Sequence, residues 1–551
     1  MNVWLSFWSA DRFKLSTWTY INVYISSGFV QLIVAIVGSF MMVLAVIKSS
    51  RLLHDRAFLS VLYAPMSFFD TTPMGRILNR FSKDIDTIDS TLMNAFNSFL
   101  ITITGIISIL VLSAIFLPWM IPFMVLLTLI YYYVAVFFQQ TNRELKRLES
   151  LLRSHLYAYF SETLSGITTL KAYHQHGINK AIARNQHNLD RHNKAYYHNL
   201  MALRWITLRV FAVGHVLNFV AVILIIWARS SIDPATAGLV LSYLARLASE
   251  MSYSVQTFAQ FESIMNSTER VLYYADSLEQ EPPAHIPDHI PDPSWPSEGH
   301  VCFRDVSMRY RPELPLVLNS ISFDIPAGEK VAVVGRTGAG KSSLIQALFR
   351  LVDLDSGSVT MDGIDTLTIG TADLRSKIAI IPQDPVLFQG TYRYNLDPLS
   401  RHSEQELWQA LETSDMKTFV QQQEGGLDGF VAAQGENLSV GQRQLVCLSR
   451  ALLAKSKVVV LDEATASVDL ATDSLIQKAM RVDFADSTVI TIAHRLNTVI
   501  DYHRALVMDQ GRVAEYDTPR RLLKDPNSAF SRMVDETGGA NATLLRTLAG
   551  C

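Results

Sequence analysis

The sequence predicts a bundle of membrane-spanning α-helices followed by a separate α/β domain. Three observations lead to this fold class. Long apolar runs are concentrated in residues 1–281, and a proline-rich stretch follows at 282–297. Beyond it, short β-branched runs alternate with helix-like stretches, a pattern typical of a parallel sheet covered by helices.

Bulk composition supports a membrane protein of more than one domain. The chain has 551 residues, 49% of them hydrophobic, and a net charge of -3. Its mean hydropathy is +0.18, high for a soluble protein. The charge balance does not indicate a nucleic-acid partner. The cysteines, Cys302, Cys447 and Cys551, lie far apart, which argues against a disulfide framework and fits a reducing cytosolic face.

Five candidate membrane spans can be placed in the first part of the chain. A bilayer core of about 30 Å requires about 20 apolar residues in a helix. Four runs match that length, at 28–47, 99–117, 119–138 and 210–228. A fifth candidate, 235–265, carries Arg246, Glu250 and Glu262. Such residues suit a helix that faces a bundle interior or an aqueous cavity, and an amphipathic cytosolic helix is the alternative.

The basic residues of the loops predict the orientation of these spans. Segment 139–209 contains eleven Lys or Arg residues and segment 48–98 contains six, whereas the hairpin near Pro118 contains none. Because cytoplasmic loops are enriched in Lys and Arg, both long loops are expected in the cytosol, as helical extensions. Five spans then place the N-terminus outside and the C-terminal domain inside.

The domain boundaries follow from the change in composition. We predict a transmembrane domain at 1–281, a linker at 282–297, an α/β domain at 298–536 and a tail at 537–551. Six prolines in 282–296 exclude the interior of a helix or sheet, so the linker is expected to be extended and semi-rigid. The predicted strands are 330–335, 377–382, 457–462 and 487–493.

A phosphate-binding loop opens the α/β domain. It consists of Gly335, Arg336, Thr337, Gly338, Ala339, Gly340, Lys341 and Ser342. It follows an apolar strand and leads into the helix-like run SSLIQALFRLV, whose second residue, Ser343, is a further candidate for nucleotide binding. Glycines let backbone N–H groups approach phosphates, Lys341 reaches the β- and γ-phosphates, and Ser342 reaches Mg²⁺. The motif therefore predicts ATP and Mg²⁺ as cofactors. A plain glycine-rich turn is the alternative.

Two consecutive acidic residues, Asp462 and Glu463, stand at the end of the apolar run VVVLD (458–462). A buried strand delivers Asp462 beside the metal, and Glu463 is placed to polarise the attacking water. The alternative is a strand followed by two acids that favour a helix N-terminus. After a phosphate-binding loop, the functional interpretation is preferred.

The stretch Leu438-Ser439-Val440-Gly441-Gln442 precedes a helix-like run, so its amides lie at a helix N-terminus, which favours an anion. Here the chain resembles the ATP-binding cassette (ABC) transporters. The resemblance implies that Ser439, Gly441 and Gln442 contact the γ-phosphate of ATP held by the opposite domain.

Further family elements follow in the family's order. Tyr310 resembles the aromatic residue that stacks on adenine, and Gln383 the glutamine near the metal and the attacking water. Asp469 resembles the D-loop aspartate and His494 the switch histidine on the γ-phosphate. Taken singly, a histidine after a strand is usually structural, and Tyr310 could belong to the core.

The chain is most similar to the second half of subfamily C, the multidrug-resistance-associated group, over nearly its whole length. The motifs are GRTGAGKSSL, IPQDPVLFQGT, NLDP, GENLSVGQRQLVCL, LDEATASVD, TIAHRLNT, PSWP, PMSFFDTTPMGRILNRFSKDID, LKRLES and ETLSGITTLKAY. LPW at 117–119 also resembles fungal oligomycin-resistance-type members. The resemblance implies an exporter-type helical bundle whose first helix is missing here, and a P-loop NTPase domain with the family's α-helical subdomain.

Some cytoplasmic and membrane-boundary residues acquire roles only through the resemblance. Phe68 to Asp70 and Glu162 to Tyr173 resemble coupling helices that dock on nucleotide-binding domains; an ordinary solvated turn is the alternative. Trp205 and Arg209 share a helix face and resemble a region that affects recognition of organic anions. Interfacial anchoring explains their residue types equally well.

The predicted function is ATP-driven export of amphipathic compounds or organic anions, with ATP hydrolysed by Glu463, His494, Gln383 and Lys341 at a dimeric interface. Val440 replaces the usual glycine, as in second-half domains of the subfamily. The expected partners are the lipid bilayer, a second half and a small substrate. The alternatives are an ATP-gated channel or channel regulator, and a non-transporting ATP-binding fragment. The plasma membrane is the first expectation for localisation and the vacuolar membrane the second.

Overall fold

A computed structural model describes residues 1–229, 232–462, 470–493 and 495–550. These residues form two compact units. The first comprises Met1–Leu62 and Met74–Leu278, and the second comprises Tyr63–Pro73 and Glu279–Cys551. The predicted residues Glu463, Asp469 and His494 lie outside the described residues.

Long α-helices make up the first unit. In chain order, the helices up to residue 278 are α1 (Asn2–Ser9), α2 (Thr17–Leu62), α3 (Met66–Thr71), α4 (Met74–Asn79), α5 (Met93–Phe116), α6 (Ile121–Ser165), α7 (Ile167–Ala172), α8 (His174–Trp227) and α9 (Pro234–Asp276). Of these, α3 belongs to the second unit. A short 3₁₀ turn at Pro118–Met120 separates α5 from α6, at the proline that breaks the predicted apolar runs.

Four helical stretches are long and apolar enough to cross a membrane. Within the described residues they are Thr17–Leu62, Met74–Phe116, Pro118–Ser165 and His174–Trp227. The predicted fifth span lies within α9, which is one continuous helix but is not among these four. The chain is therefore a multi-pass membrane protein, and the fifth span remains a prediction.

The helices of the first unit pack around a shared apolar core, yet α2 leaves most of its apolar surface uncovered. Met120, Phe138, Ile206 and Leu244 belong to the core. On α2, by contrast, side chains such as Val34 are 64% exposed. An apolar surface of this size is stable only against lipid or another helix, which agrees with a membrane location.

Two π-helical segments, Arg80–Asp84 and Thr87–Leu92, lie between α4 and α5. The first contains Asp84, whose side chain is buried. Arg80 donates one hydrogen bond to Asp84 at 2.8 Å, and Arg270 on α9 donates two, at 3.0 and 2.5 Å. The buried carboxylate is therefore paired with two guanidinium groups, one from the same helical region and one from α9.

The second unit is built on two main sheets. Its strands are β1 (Val301–Met308), β2 (Leu318–Ile325), β3 (Lys330–Gly335), β4 (Ser356–Met361), β5 (Ile364–Asp365), β6 (Ile378–Ile381), β7 (Gly390–Thr391), β8 (Phe430–Val431), β9 (Val458–Asp462), β10 (Thr488–Ile492), β11 (Arg504–Asp509) and β12 (Arg512–Asp517). The larger sheet has the order β12-β11-β3-β10-β9-β6, and only the β11–β12 pair is antiparallel. The smaller sheet has the antiparallel order β2-β1-β4-β5.

Helices cover the sheets of the second unit. They are α10 (Lys341–Leu348), α11 (Thr371–Arg375), α12 (Tyr392–Leu396), α13 (Glu404–Thr413), α14 (Lys417–Gln422), α15 (Val440–Ala454), α16 (Leu470–Val482), α17 (Pro519–Lys524), α18 (Ala529–Asp535) and α19 (Gly539–Leu548). Successive residues of β9 alternate between two cores: Val458 and Val460 face one, Val459 and Leu461 the other. Both faces of the central strands are therefore buried, as in other parallel sheets, and the predicted fold class is confirmed.

The linker and the tail both contribute buried residues to the second unit. In the linker, Trp295 is buried and its indole Nε1 donates to the carbonyl of Met361 at 3.0 Å. In the tail, Ala542 and Leu545 of α19 are buried in an apolar core of the unit. The residues predicted as a tail therefore form a packed helix.

Candidate functional site

The phosphate-binding loop connects β3 to α10, as its sequence context requires. Gly335, the last residue of β3, has φ +154°, and a Cβ atom there would lie 2.4 Å from the carbonyl oxygen of Met508. Only glycine fits this position. The loop ends at the N-terminus of α10, where unpaired backbone N–H groups favour an anion.

Lys341, the first residue of α10, is folded onto the loop. Its side chain is buried, and Nζ donates to the carbonyls of Gly335 at 2.8 Å and Arg336 at 3.2 Å. A lysine held by neutral carbonyl oxygens has more favourable partners in anionic phosphate oxygens. This arrangement can bind the phosphates of a nucleotide.

Tyr310 and Ser343 form a second contact at the same helix. The Tyr310 hydroxyl and the Ser343 hydroxyl are 2.8 Å apart, within hydrogen-bond distance. Tyr310 is half-buried and packs against the core of the unit. The structure therefore gives Tyr310 a structural contact beside the phosphate-binding loop.

The order of the central strands brings other predicted residues to one edge of the sheet. Asp462 ends β9, and Gln383 follows β6, the neighbour of β9, by two residues. β10 lies between β9 and β3. Because these strands are parallel, their carboxyl ends meet at the edge where the phosphate-binding loop begins, which is where α/β sheets bind ligands. Ser342, Gln383 and Asp462 carry hydroxyl, amide and carboxylate oxygens, which are ligand types that suit Mg²⁺, and the assignment of these residues to a metal site stays a prediction.

A reciprocal cap starts α15. Ser439 is the N-cap residue: its hydroxyl accepts from the Gln442 amide at 3.2 Å, and the Gln442 side chain accepts from the Ser439 amide at 2.9 Å. Both predicted signature residues thus stabilise the helix start, with Gly441 buried in the first turn. The backbone N–H groups beyond the cap are oriented by this arrangement.

Gln444 makes a contact next to the predicted site that the sequence did not indicate. Its side-chain amide donates to the carbonyl of Pro382 at 3.0 Å, and the side chain is buried. Since Pro382 immediately precedes Gln383, this bond connects α15 to the residue next to a predicted metal ligand. Gln444 directly precedes the apolar run LVCLSRALL. A polar residue next to such a run is the signal that could have identified this contact.

The cysteine of α15 does not take part in this chemistry. Burial raises the pKa of the Cys447 thiol, with a smaller opposing effect of Arg450. The thiol therefore stays neutral, and it packs as a small apolar group. Cys302 is also buried and free.

Other predicted residues lie elsewhere in the two units. In the first unit, Arg209 lies over the Trp205 ring with 5.6 Å between the guanidinium carbon and the ring centroid, and Phe137 lies 5.8 Å from Trp205. Phe68 and Asp70 lie on α3, which belongs to the second unit, whereas the helix α7 within 162–173 belongs to the first.

Comparison with known proteins identifies the two parts of the chain. The model of the ABC transporter transmembrane region matches residues 1–249, and the ABC transporter model matches residues 318–466.

Curated relatives extend this similarity over almost the whole chain. ABC transporter C family member 3 of Dictyostelium discoideum is 40% identical over 99% of this chain and 39% of its own length. ATP-binding cassette sub-family C member 3 of Mus musculus is 43% identical over 98% of this chain and 35% of its own length. ABC-type transporter cicA of Emericella nidulans is 43% identical over 95% of this chain and 38% of its own length.

The chain spans less than half the length of the curated relatives it matches. Its transmembrane region precedes a nucleotide-binding domain, and its relatives include members of subfamily C. With both of its parts matched in this way, the chain belongs to the ABC transporters.

Proposed function

We propose that this chain is one half of an exporter of amphipathic compounds or organic anions, and that ATP is hydrolysed where its nucleotide-binding domain meets a second one. The observation that carries the proposal is Lys341 folded onto a phosphate-binding loop whose first glycine admits no side chain. The long apolar helices of the first unit, whose apolar windows are mostly exposed, supply the membrane part.

The proposed roles of the residues follow the chemistry of phosphoryl transfer. Lys341 neutralises charge on the β- and γ-phosphates. Ser342, Gln383 and Asp462 would hold Mg²⁺, which would neutralise further charge there. Glu463 acts as the base for the attacking water, with Gln383 and His494 beside the γ-phosphate. Tyr310 stacks on the adenine ring.

The proposed second half completes each nucleotide site. Ser439, Gly441 and Gln442 contact ATP held by the phosphate-binding loop of the opposite domain, so closure of two domains around two ATP molecules precedes hydrolysis. The helices of both halves then enclose the substrate pathway, in the plasma membrane or, as second choice, the vacuolar membrane. Trp205 and Arg209 provide an aromatic face and a cation that suit an amphipathic anion.

Substitution of Glu463 by Gln tests the proposal. The chain is assembled with a complementary half in lipid vesicles, and MgATP hydrolysis and uptake of carboxyfluorescein are measured. We expect Glu463→Gln to retain bound ATP and to lose both activities. Glu412→Gln, an exposed glutamate of α13, is the matched control and should behave as the parent.

Normal turnover in the Glu463→Gln variant would overturn its assignment as base. An ATP-dependent ionic conductance without carboxyfluorescein uptake would instead identify a channel. ATP binding without hydrolysis in the assembled parent would identify a non-transporting protein.

A further inference from the structure

Glu281 and the first residues of the linker form backbone hydrogen bonds with two other parts of the second unit, Tyr63 and the start of α11. The amide of Glu281 donates to the carbonyl of Tyr63 at 2.7 Å. The carbonyls of Pro283 and Ala284 accept from the amides of Thr371 and Ala372, at 3.1 and 3.0 Å. Residues 281–284 therefore lie along the start of α11, attached to the first residue of segment 63–73.

One ion pair connects this linker to the nucleotide-binding elements. Arg375 donates to the two carboxylate oxygens of Glu281 at 2.7 and 3.1 Å. The side chains are only 28% and 15% exposed. A bidentate pair between a planar guanidinium and a carboxylate fixes orientation as well as distance, and partial burial reduces its screening by solvent.

The same guanidinium also binds the end of the helix that follows the phosphate-binding loop. Arg375 Nε donates to the carbonyl of Phe349 at 3.1 Å, and Nη2 donates to the carbonyl of Arg350 at 2.8 Å. These carbonyls lie just beyond α10, whose C-terminus carries partial negative charge and favours a cation. Arg375 thus holds Glu281 and the end of α10 together.

The position of Arg375 in the chain extends this connection to a predicted metal ligand. Arg375 is the last residue of α11, and β6 begins at Ile378 and leads to Gln383. α10 begins with Lys341 at its other end. Arg375 therefore contacts both Glu281 and the end of α10, the helix that follows the phosphate-binding loop. It also lies eight residues before Gln383.

We propose that Glu281 and Arg375 are positioning residues that transmit nucleotide binding to segment 63–73, which contains α3. The inference rests on the proposed function, and it adds a route by which the phosphate-binding helix and the predicted coupling segment move together. A shift of α10 on ATP binding moves the carbonyls that hold Arg375. Because Arg375 also holds Glu281, whose amide is bonded to Tyr63, the shift reaches segment 63–73.

Substitution of Glu281 by Gln is the direct test, because it removes the charge and leaves the backbone bond to Tyr63. Hydrogen exchange of segment 63–73 is measured with and without MgATP in the assembled protein, together with hydrolysis before and after adding carboxyfluorescein. Glu329→Gln is the matched control, since the Arg504–Glu329 pair has the same 2.7 Å distance and similar exposure in the same unit.

In the parent and the control, we expect MgATP to slow exchange in segment 63–73 by roughly tenfold, equivalent to about 1.4 kcal/mol. Glu281→Gln should bind ATP but lose this change, and carboxyfluorescein should no longer stimulate its hydrolysis. Arg375→Lys, which retains charge without the planar fork, should lose the change as well. If Glu281→Gln fails to fold, Arg375→Lys decides the question.

The two proposals fail in different ways. A parent-like exchange response in both variants overturns the route through Glu281 and Arg375, whatever the hydrolysis rates are. A parent whose segment 63–73 ignores bound MgATP also overturns it. A parent that shows the exchange response but hydrolyses no ATP supports the route and overturns the proposed function.

Discussion

Replacement of Asp84 by Asn should loosen the junction between the π-helical segment and α9. Asp84 accepts three hydrogen bonds, one from Arg80 and two from Arg270, in a buried position. Asparagine has nearly the same shape but no charge, and its NH₂ group would face guanidinium donors. The substitution thus removes one acceptor oxygen and leaves two cations beside a neutral group.

The magnitude follows from the burial of each partner. A hydrogen bond to a charged group contributes about 1.5–3 kcal/mol, and removing one member of a buried ion pair costs about 3–5 kcal/mol. The side chains of Arg80 and Arg270 are 24% and 40% exposed, so water recovers part of their solvation. We therefore expect a loss of about 2–3 kcal/mol in the free energy of local opening.

Native-state hydrogen exchange measures this loss directly, at the amides of residues 80–92 and around Arg270. The expected rise in exchange rate is roughly 30- to 140-fold. Asp55→Asn is the matched control, because the Arg51–Asp55 pair has the same i,i+4 spacing but a 3.9 Å distance and exposures of 84% and 59%. It should change local opening by less than about 0.5 kcal/mol. Equal effects of the two substitutions would refute the argument from burial.

The remaining prediction concerns the cap of α15. Ser439→Ala should cost α15 about 1 kcal/mol in thermal unfolding. Ser439→Asp should keep the cap and the stability yet abolish hydrolysis, since a carboxylate repels phosphate; retained hydrolysis would remove Ser439 from the phosphate site.

Features carried by neighbouring residues were accessible from the sequence. The phosphate-binding loop and each central strand lie within one short segment of the chain. The spacing of the glycines and the short apolar runs therefore predict them. The reciprocal cap at Ser439 also has a local pattern, a serine followed three residues later by glutamine. We interpreted those residues only as phosphate contacts, and that local stabilising role was missed.

Features that depend on distant partners were not accessible. Arg375 and Glu281 are separated by 94 residues and Gln444 and Pro382 by 62, and one sequence contains no signal that pairs them. The π-helical segment around Asp84 could not be predicted for a similar reason. A π-turn arises where packing requires it and leaves no periodic pattern in the sequence.

The linker shows how a correct local prediction can leave out the main interaction. Prolines remove backbone donors, which led to the expectation of an extended, semi-rigid segment. They keep their carbonyl acceptors, however, and the first turn of a helix has N–H groups without partners inside the helix. The linker carbonyls of Pro283 and Ala284 accept from that turn of α11. Gly370, just before α11, permits this approach, since a Cβ there would lie 2.2 Å from the Ala284 carbonyl. The linker is therefore held against α11 as part of the nucleotide-binding unit, and its fixed course depends on these carbonyl acceptors as much as on the stiffness of its prolines.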